Sequence, residues 1–410
     1  MKRFLLNLIL IFFCFYHISA IAQWTQFAPG TYPFSYTWVE AIATTGTGIF
    51  VGTHSNGIFL STDNGTTWVA AKTGLPSGSF VYTLAIMGND VLAGTSNNWG
   101  IYKTTNSGAQ WTQSGLTGIP IDCLAQIGTN LFAGSTLFGV YLSTDAGANW
   151  TAVKSDNGIY ALTAGGTTLF AARNASIRGV YVSPDNGTNW TFPANTGFPT
   201  SNITALSTIG SNLFVETMTG VYLSIDDGAN WTAVNNGLTT LNVRSAVVNG
   251  SNLFVGTNGG GVYLTTDNGS NWSAVNTGLT NKFVYSLAVI GSDLYAGTLG
   301  SGLWKRSLSD MITAVEDNKI NQPSNFSLYQ NYPNPFNPTT NIRFEIASPG
   351  FVSLKVIDLL GREVTSLVNE YKQAGNYDVN FDASKLSSGI YFYKLQAGNF
   401  SSTKKMVLTR

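Results

Sequence analysis

The chain has 410 residues, enough for more than one domain, and balances 21 lysines and arginines against 21 aspartates and glutamates. Only 10% of its residues are charged, against about 25% in an average domain, which argues against nucleic acid as a partner because phosphate binding needs a basic surface. With 44 glycines and 13% aromatic residues, the composition fits an all-β protein with many tight turns.

The first element predicted is a signal peptide over residues 1–22. Lys2 and Arg3 supply its basic start, residues 4–18 are mostly apolar, and Ala20-Ile21-Ala22 offers a small-residue cleavage site before Gln23. The apolar run, broken by Asn7, falls short of the roughly 18–20 residues that a membrane span needs. No transmembrane segment is therefore expected in the mature chain. Cys14 follows Phe13, where a lipid-attachment motif wants a small residue. Removing the leader makes Cys123 the single cysteine, so stability rests on a large core and not on a disulfide. Cys123 itself reads as a small core residue.

From residue 23 onward an eight-residue phrase, S/T-x-D/N-x-G-x-x-W, occurs at 61–68, 104–111, 143–150, 183–190, 224–231 and 265–272. Successive tryptophans lie 43, 39, 40, 41 and 41 residues apart. A period of about 40 residues in a strand-like, turn-rich sequence predicts a β-propeller with one four-stranded blade per repeat. The third strand of each repeat carries an aromatic, and there are seven of these: Phe59, Tyr102, Tyr141, Tyr181, Tyr222, Tyr263 and Trp304. The last copy, Gly302-Leu303-Trp304-Lys305-Arg306, has no fourth strand after it. Trp24-Thr25-Gln26-Phe27 resembles the fourth strand Trp231-Thr232-Ala233-Val234. We therefore expect seven blades over residues 23–308, with the N-terminal strand closing the last one and removing open sheet edges.

The phrase resembles the Asp box of sialidases, BNR-repeat proteins and related propellers. Its Asp carboxylate suits capping of the turn's own N–H groups, and its Gly supplies a positive φ. Asn106 replaces Asp in the second copy, which a capping role tolerates and an acid–base or metal role would not. The phrase also lacks the further oxygen ligands of a calcium loop. The N-x-S/T triplets at Asn149, Asn189, Asn230 and Asn271 read as by-products of the repeat and not as glycosylation sites.

Where the repeats differ, the ligand site is expected. One position near the start of the first strand varies most: Glu40, Tyr82, Asp122, Tyr160, Thr204, Arg244 and Tyr285. By symmetry these side chains form a ring at the mouth of the central channel. The second strand normally ends in Gly-Thr or Gly-Ser, but two repeats write Ala172-Arg173 and Glu216-Thr217. Arg173 and Glu216 are expected as a charged pair at the channel rim, either an inert salt bridge or part of a polar ligand site. Trp99, His54 and Phe138 occupy turns on the same face.

The likeness to sialidases covers the repeats only. Those enzymes bind a carboxylate with three arginines and use a tyrosine activated by a glutamate. The repeats here offer Arg173, Arg178, Arg244 and Arg306, with Glu40 and Glu216 as the glutamates and no Phe-Arg-Ile-Pro segment. Asp-box propellers that hydrolyse β-glucans place paired aspartates between two large propellers, and this chain has one. A broader resemblance is to photosystem-assembly-factor-like propellers, which implies a binding scaffold. The expectation is a secreted or cell-surface, non-catalytic binding or adhesion protein with no metal and no cofactor, taking a glycan or a surface protein at the channel mouth. The alternative is a glycoside hydrolase using two acids among Glu40, Asp122, Asp156 and Glu216.

Residues 309–325 are polar, with Glu316, Asp317, Lys319 and Pro323, and read as a linker. Beyond them period-2 alternation resumes at Ile342, Phe344 and Ile346, then Val352, Leu354 and Val356, then Tyr391, Tyr393 and Leu395. This pattern predicts a small β-sandwich over residues 326–410. Three of its motifs are Tyr332-Pro333-Asn334-Pro335-Phe336-Asn337-Pro338, Val356-Ile357-Asp358-Leu359-Leu360-Gly361-Arg362-Glu363-Val364 and Leu386-Ser387-Ser388-Gly389-Ile390-Tyr391. The terminal Lys404-Lys405-Met406-Val407-Leu408 completes the set. Together they resemble a type A C-terminal sorting domain of the type IX secretion system. The resemblance implies the type IX secretion machinery as partner. It also implies release from, or attachment to, the surface of a Gram-negative bacterium.

Overall fold

The computed structural model describes residues 23–27, 38–46, 48–312, 325–348, 350–372 and 375–409. The expected signal peptide and most of the expected linker lie outside them. The chain divides into two compact units, Met1–Ile312 and Thr313–Arg410. The described residues are almost wholly β, and the first unit is a β-propeller. None of their helices is long and apolar enough to cross a membrane.

In the first unit each repeat folds into its own antiparallel sheet, in simple up-and-down order. One such sheet runs Val243–Asn249, Asn252–Thr257, Gly261–Thr265 and Ser273–Ala274. The hairpins are short because glycine accepts the turn geometry. At residues 87–90, for example, Met87 pairs with Asp90 across Gly88-Asn89, and Gly88 has φ 60°. Second strands such as Asn252–Thr257 are buried nearly throughout, because both faces of each sheet are covered by neighbours.

The first strands touch one another in chain order, and Val284–Ile290 returns to lie against Val39–Thr45, so the sheets close into a ring. Small residues permit this approach. A Cβ on Gly52 would come 2.8 Å from Val81 of the next sheet, and one on Gly297 would come 2.5 Å from Val39, across the closing contact. The core is layered between successive sheets. One cluster joins Phe214 and Val221 of one sheet to Val243, Val255, Tyr263 and Trp272 of the next. Truncating a fully buried Phe such as Phe214 to Ala costs about 3–5 kcal/mol.

The N-terminal strand takes its expected place. Thr25–Gln26 pairs with Leu303–Ser307 in the register Thr25↔Lys305 and Gln26↔Trp304. Trp24 is buried and donates Nε1–H to the Val275 carbonyl at 2.6 Å.

Two features depart from expectation. In the sheet built on Ile159–Gly165 the fourth strand is reduced to a single bridge, Val182↔Thr191. Pro193 follows at once, and a proline has no N–H with which to continue the ladder. The expected linker also starts late, because residues 308–312 are helical, with Leu308 and Met311 buried.

The second unit holds two sheets, ordered Ser327–Leu328, Thr339–Ile346, Gly375–Asp382 and Glu363–Lys372, Gly350–Ile357, Gly389–Ala397, Phe400–Leu408. Their alternating residues enclose a core of Ile342, Phe344, Ile346, Val352, Leu354, Val356, Tyr393 and Leu395, the expected sandwich. Its signature segments bind one another. Phe336 is buried, its N–H donates to the Val407 carbonyl at 3.0 Å, and its carbonyl accepts from Thr409 N–H at 2.9 Å. Asn334 Oδ1 accepts from Val407 N–H at 2.9 Å. The Pro-Asn-Pro-Phe segment thereby anchors the terminal strand.

Candidate functional site

The seven variable positions all line one cavity of about 640 Å³, floored by the first strands of the ring. A shared backbone feature aims them inward. In six sheets the ladder between first and second strands skips one residue, and the skipped residue is Glu40, Tyr82, Tyr160, Thr204, Arg244 or Tyr285. A β-bulge of this kind re-aims one side chain out of the pleat. In the remaining sheet Asp122 stands just before the strand and donates its N–H to the Gly134 carbonyl at 2.9 Å. The residues before the bulge, such as Val39, Val81 and Ile203, are fully buried. Those after it, such as Ala41, Ala161 and Ser245, are small, which keeps the cavity open.

The cavity is polarised. Glu40 accepts a hydrogen bond or ion pair from His54 Nδ1 at 3.0 Å. His54 stacks on Phe80 with ring centroids 4.6 Å apart and lies 4.7 Å from Trp38, which in turn meets Tyr285 at 5.2 Å. Asp122 Oδ2 accepts from Thr136 N–H at 2.7 Å. The Arg244 guanidinium lies 5.4 Å from the Tyr285 ring centroid, a cation–π placement. Among the described residues, Arg244 Nε and the buried Ser245 Oγ have no hydrogen-bond partner.

Burial raises the pKa of Glu40, while His54 and, more weakly, Arg244 pull it down. Burial also raises Asp122, opposed only by its bonds to Thr136. Tyr82 and Tyr160 are raised first by burial and then by the charges of Glu40 and Asp122. The negative field therefore extends over both tyrosines.

Arg173 and Glu216 do not form the expected pair, and neither lines the cavity. Arg173 donates Nε–H to the Asn157 carbonyl at 3.1 Å. Glu216 is fully buried, accepting from Ser207 Oγ at 2.9 Å while its Oε2 has no partner among the described residues. The registers explain this. Arg173 pairs with Ile159 at the strand end, where the next sheet carries Thr217, whereas Glu216 pairs with Ala205, where the previous sheet carries Ala172. Adjacent strand positions face opposite ways, so the two side chains belong to different surfaces. Of the turn residues, His54 lines the cavity, whereas Trp99 and the exposed Phe138 do not. Trp38 lines it too. It immediately precedes the first strand, where two other repeats also carry an aromatic, Phe80 and Phe283, a signal that could have found it.

The repeated phrase builds six nearly identical loops. In the fifth, Ser224 Oγ–H donates to Asp226 Oδ1 at 2.8 Å and Gly228 N–H donates back to Ser224 Oγ at 2.8 Å. Asn230 donates its backbone N–H to Asp226 Oδ1 at 2.9 Å and its side-chain N–H to Oδ2 at 2.8 Å. Both residues at the loop tip are left-handed, Asp227 at φ 52° and Gly228 at φ 86°. Asn106 makes the corresponding contacts in the second copy. These hydrogen bonds hold Asp63 and Asp145 down at about 2. The asparagines of the N-x-S/T triplets are consumed in the same loops.

Residues 330–409 match the secretion system C-terminal sorting domain family. The C-terminal unit is a type IX secretion sorting domain. It marks the chain for export to the cell surface or beyond, through contact with the secretion machinery. Residues 84–217 match the DUF6242 beta propeller domain. Similar solved structures include YCF48 from Cyanidioschyzon merolae, 12% identical with a TM-score of 0.54, covering 70% of this chain and 98% of that one. YCF48 bound to D1 peptide is 13% identical with a TM-score of 0.55, covering 70% of this chain and 96% of that one. The GH74 enzyme of Niastella koreensis is 14% identical with a TM-score of 0.54, covering 93% of this chain and 74% of that one. At such identities the likeness concerns the fold alone. No curated protein matches the chain.

Proposed function

We propose that the chain is an exported, non-catalytic binding protein whose seven-bladed, Asp-box propeller takes its ligand in the bulge-built cavity. The observation that carries this reading is the convergence of the seven variable side chains, of five residue types, on one cavity of about 640 Å³, within the size range of ligand sites. The repeated loops are uniform and engaged with themselves, so the variation between repeats is concentrated where a ligand fits. A propeller of this fold is solved with a peptide bound, which is consistent with such a role. The acids weighed as catalysts support binding over turnover. Glu216 is sealed from solvent, Asp156 is ion-paired with Lys154, and Glu40 is engaged by His54.

The second reading, a glycoside hydrolase, draws on Glu40 and Asp122, two acids in one cavity whose pKa values burial raises, as a general acid requires. The deciding experiment screens the mature chain for glycan and peptide binding and assays the bound glycans for hydrolysis. Binding without turnover, weakened at least tenfold by Tyr160→Ala, is expected. Turnover abolished by Glu40→Gln or Asp122→Asn would replace this reading with the hydrolase.

A further inference from the structure

We infer that the cavity recognises a peptide segment presenting a basic side chain together with a carboxylate, an assignment that rests on the cavity being the binding site. Because the first strands touch in chain order, the sequence order of the bulge residues is their order around the ring. Four consecutive places then read Glu40, Tyr82, Asp122, Tyr160, a carboxylate and a π-face in strict alternation. A lysine ammonium or arginine guanidinium is attracted to both groups, and this arc offers two of each.

Asp122 most needs such a partner. It is mostly buried, its bonds go to Thr136, and among the described residues no ion pair includes it. A neutral sugar filling the cavity would strip the remaining water from this carboxylate without supplying countercharge, which is costly. A cation would supply it.

The opposite arc has the complementary character. Arg244 stands three places from Asp122, as far as a ring of seven permits. It lines the cavity, and among the described residues no ion pair includes it and its Nε has no hydrogen-bond partner. A carboxylate satisfies a guanidinium best. A lone cation would leave this arc unused, and a lone anion would meet two carboxylates. A ligand carrying both charges uses the whole wall.

The test is calorimetric titration of the mature full chain with acetyl-Ala-Ala-Lys bearing a free C-terminal carboxylate. Its norleucine counterpart, its C-terminal amide, and the neutral sugars xylohexaose and cellohexaose serve as comparisons. The lysine peptide should bind, with affinity falling at least tenfold for the norleucine peptide or for Asp122→Asn. It should fall several-fold for the amide or for Arg244→Gln, and throughout as salt is raised. Unchanged melting temperatures of the isosteric variants show that folding is intact. Failure of the lysine peptide to bind, or equal binding to Asp122→Asn, overturns the assignment. If a hexaose binds instead and Tyr160→Ala abolishes that binding, the cavity remains the site and only the ligand class falls. Ligand binding indifferent to both Tyr160→Ala and Asp122→Asn removes the cavity itself as the site.

Discussion

Glu216 stands where the equivalent strands carry Gly52, Gly94, Gly134, Ala172, Gly256 and Gly297. Its carboxyl is sealed between sheets, and burial pushes its pKa up to about 8, so it is largely protonated at neutral pH. In the unfolded chain it ionises near 4.5. Between those two values the folded state holds a proton that the unfolded state has lost, so stability falls as pH rises through that window. The loss is on the order of 3–5 kcal/mol. The melting temperature should therefore drop between pH 5 and pH 8, and Glu216→Gln, which keeps the bond from Ser207 without an ionisable proton, should remove most of that drop. A wild-type melting temperature flat over this range would refute the sealed-acid account. The charge was visible in the sequence and its partner was not. Which face a strand residue occupies depends on a register that a single-residue offset reverses.

At the scale of the element, the repeated loops and the bulges divide the labour. Each loop is a hydrogen-bonded unit in which one carboxylate, or the amide of Asn106 in the second, collects bonds from residues two before and four after it. Asp226→Ala should lower the melting temperature by roughly 1–4 °C and leave ligand affinity alone, with Asp226→Asn milder because Asn106 already serves in that place. Loss of binding at unchanged melting temperature would mean that the loop is part of the site. The loops were legible because their chemistry is local: turn formers at fixed offsets dictate their own geometry. The bulges were not. A bulge is a relation between two strands, and nothing in Val243-Arg244-Ser245 alone says that Arg244 will have no partner opposite it. Variation between aligned repeats located the same residues indirectly.

For the whole molecule, two pieces of architecture have separate tasks. The propeller is closed by strand Thr25–Gln26 and by the contact of Gly297 with Val39, so each of its sheets has a covering neighbour on both sides. The sorting domain has its own core and supplies the export signal. Deleting residues 326–410 should leave the propeller's melting transition in place and abolish appearance of the protein outside the outer membrane. Fractionation of cells with a working type IX system checks this, and undiminished export of the truncated chain would contradict the assignment. A lost propeller transition would show instead that the two units fold as one.

What the sequence determined by itself is whatever repeats or acts locally. The all-β class, the loop chemistry, the missing last strand with its N-terminal replacement, the sandwich alternation and the sorting motifs each follow from residues close together or from self-comparison at a fixed period. The tertiary structure decided what depends on register and on neighbours. It placed Arg173 and Glu216 on different surfaces, recruited Trp38, cut the fourth sheet short at Pro193 and turned seven scattered residues into one polarised wall. Apart from Pro193, whose missing N–H acts locally, the physical reason is common. A side chain's direction and its surroundings are set by the strand opposite and the sheet beside it, and in a ring those partners come from parts of the chain tens to hundreds of residues away.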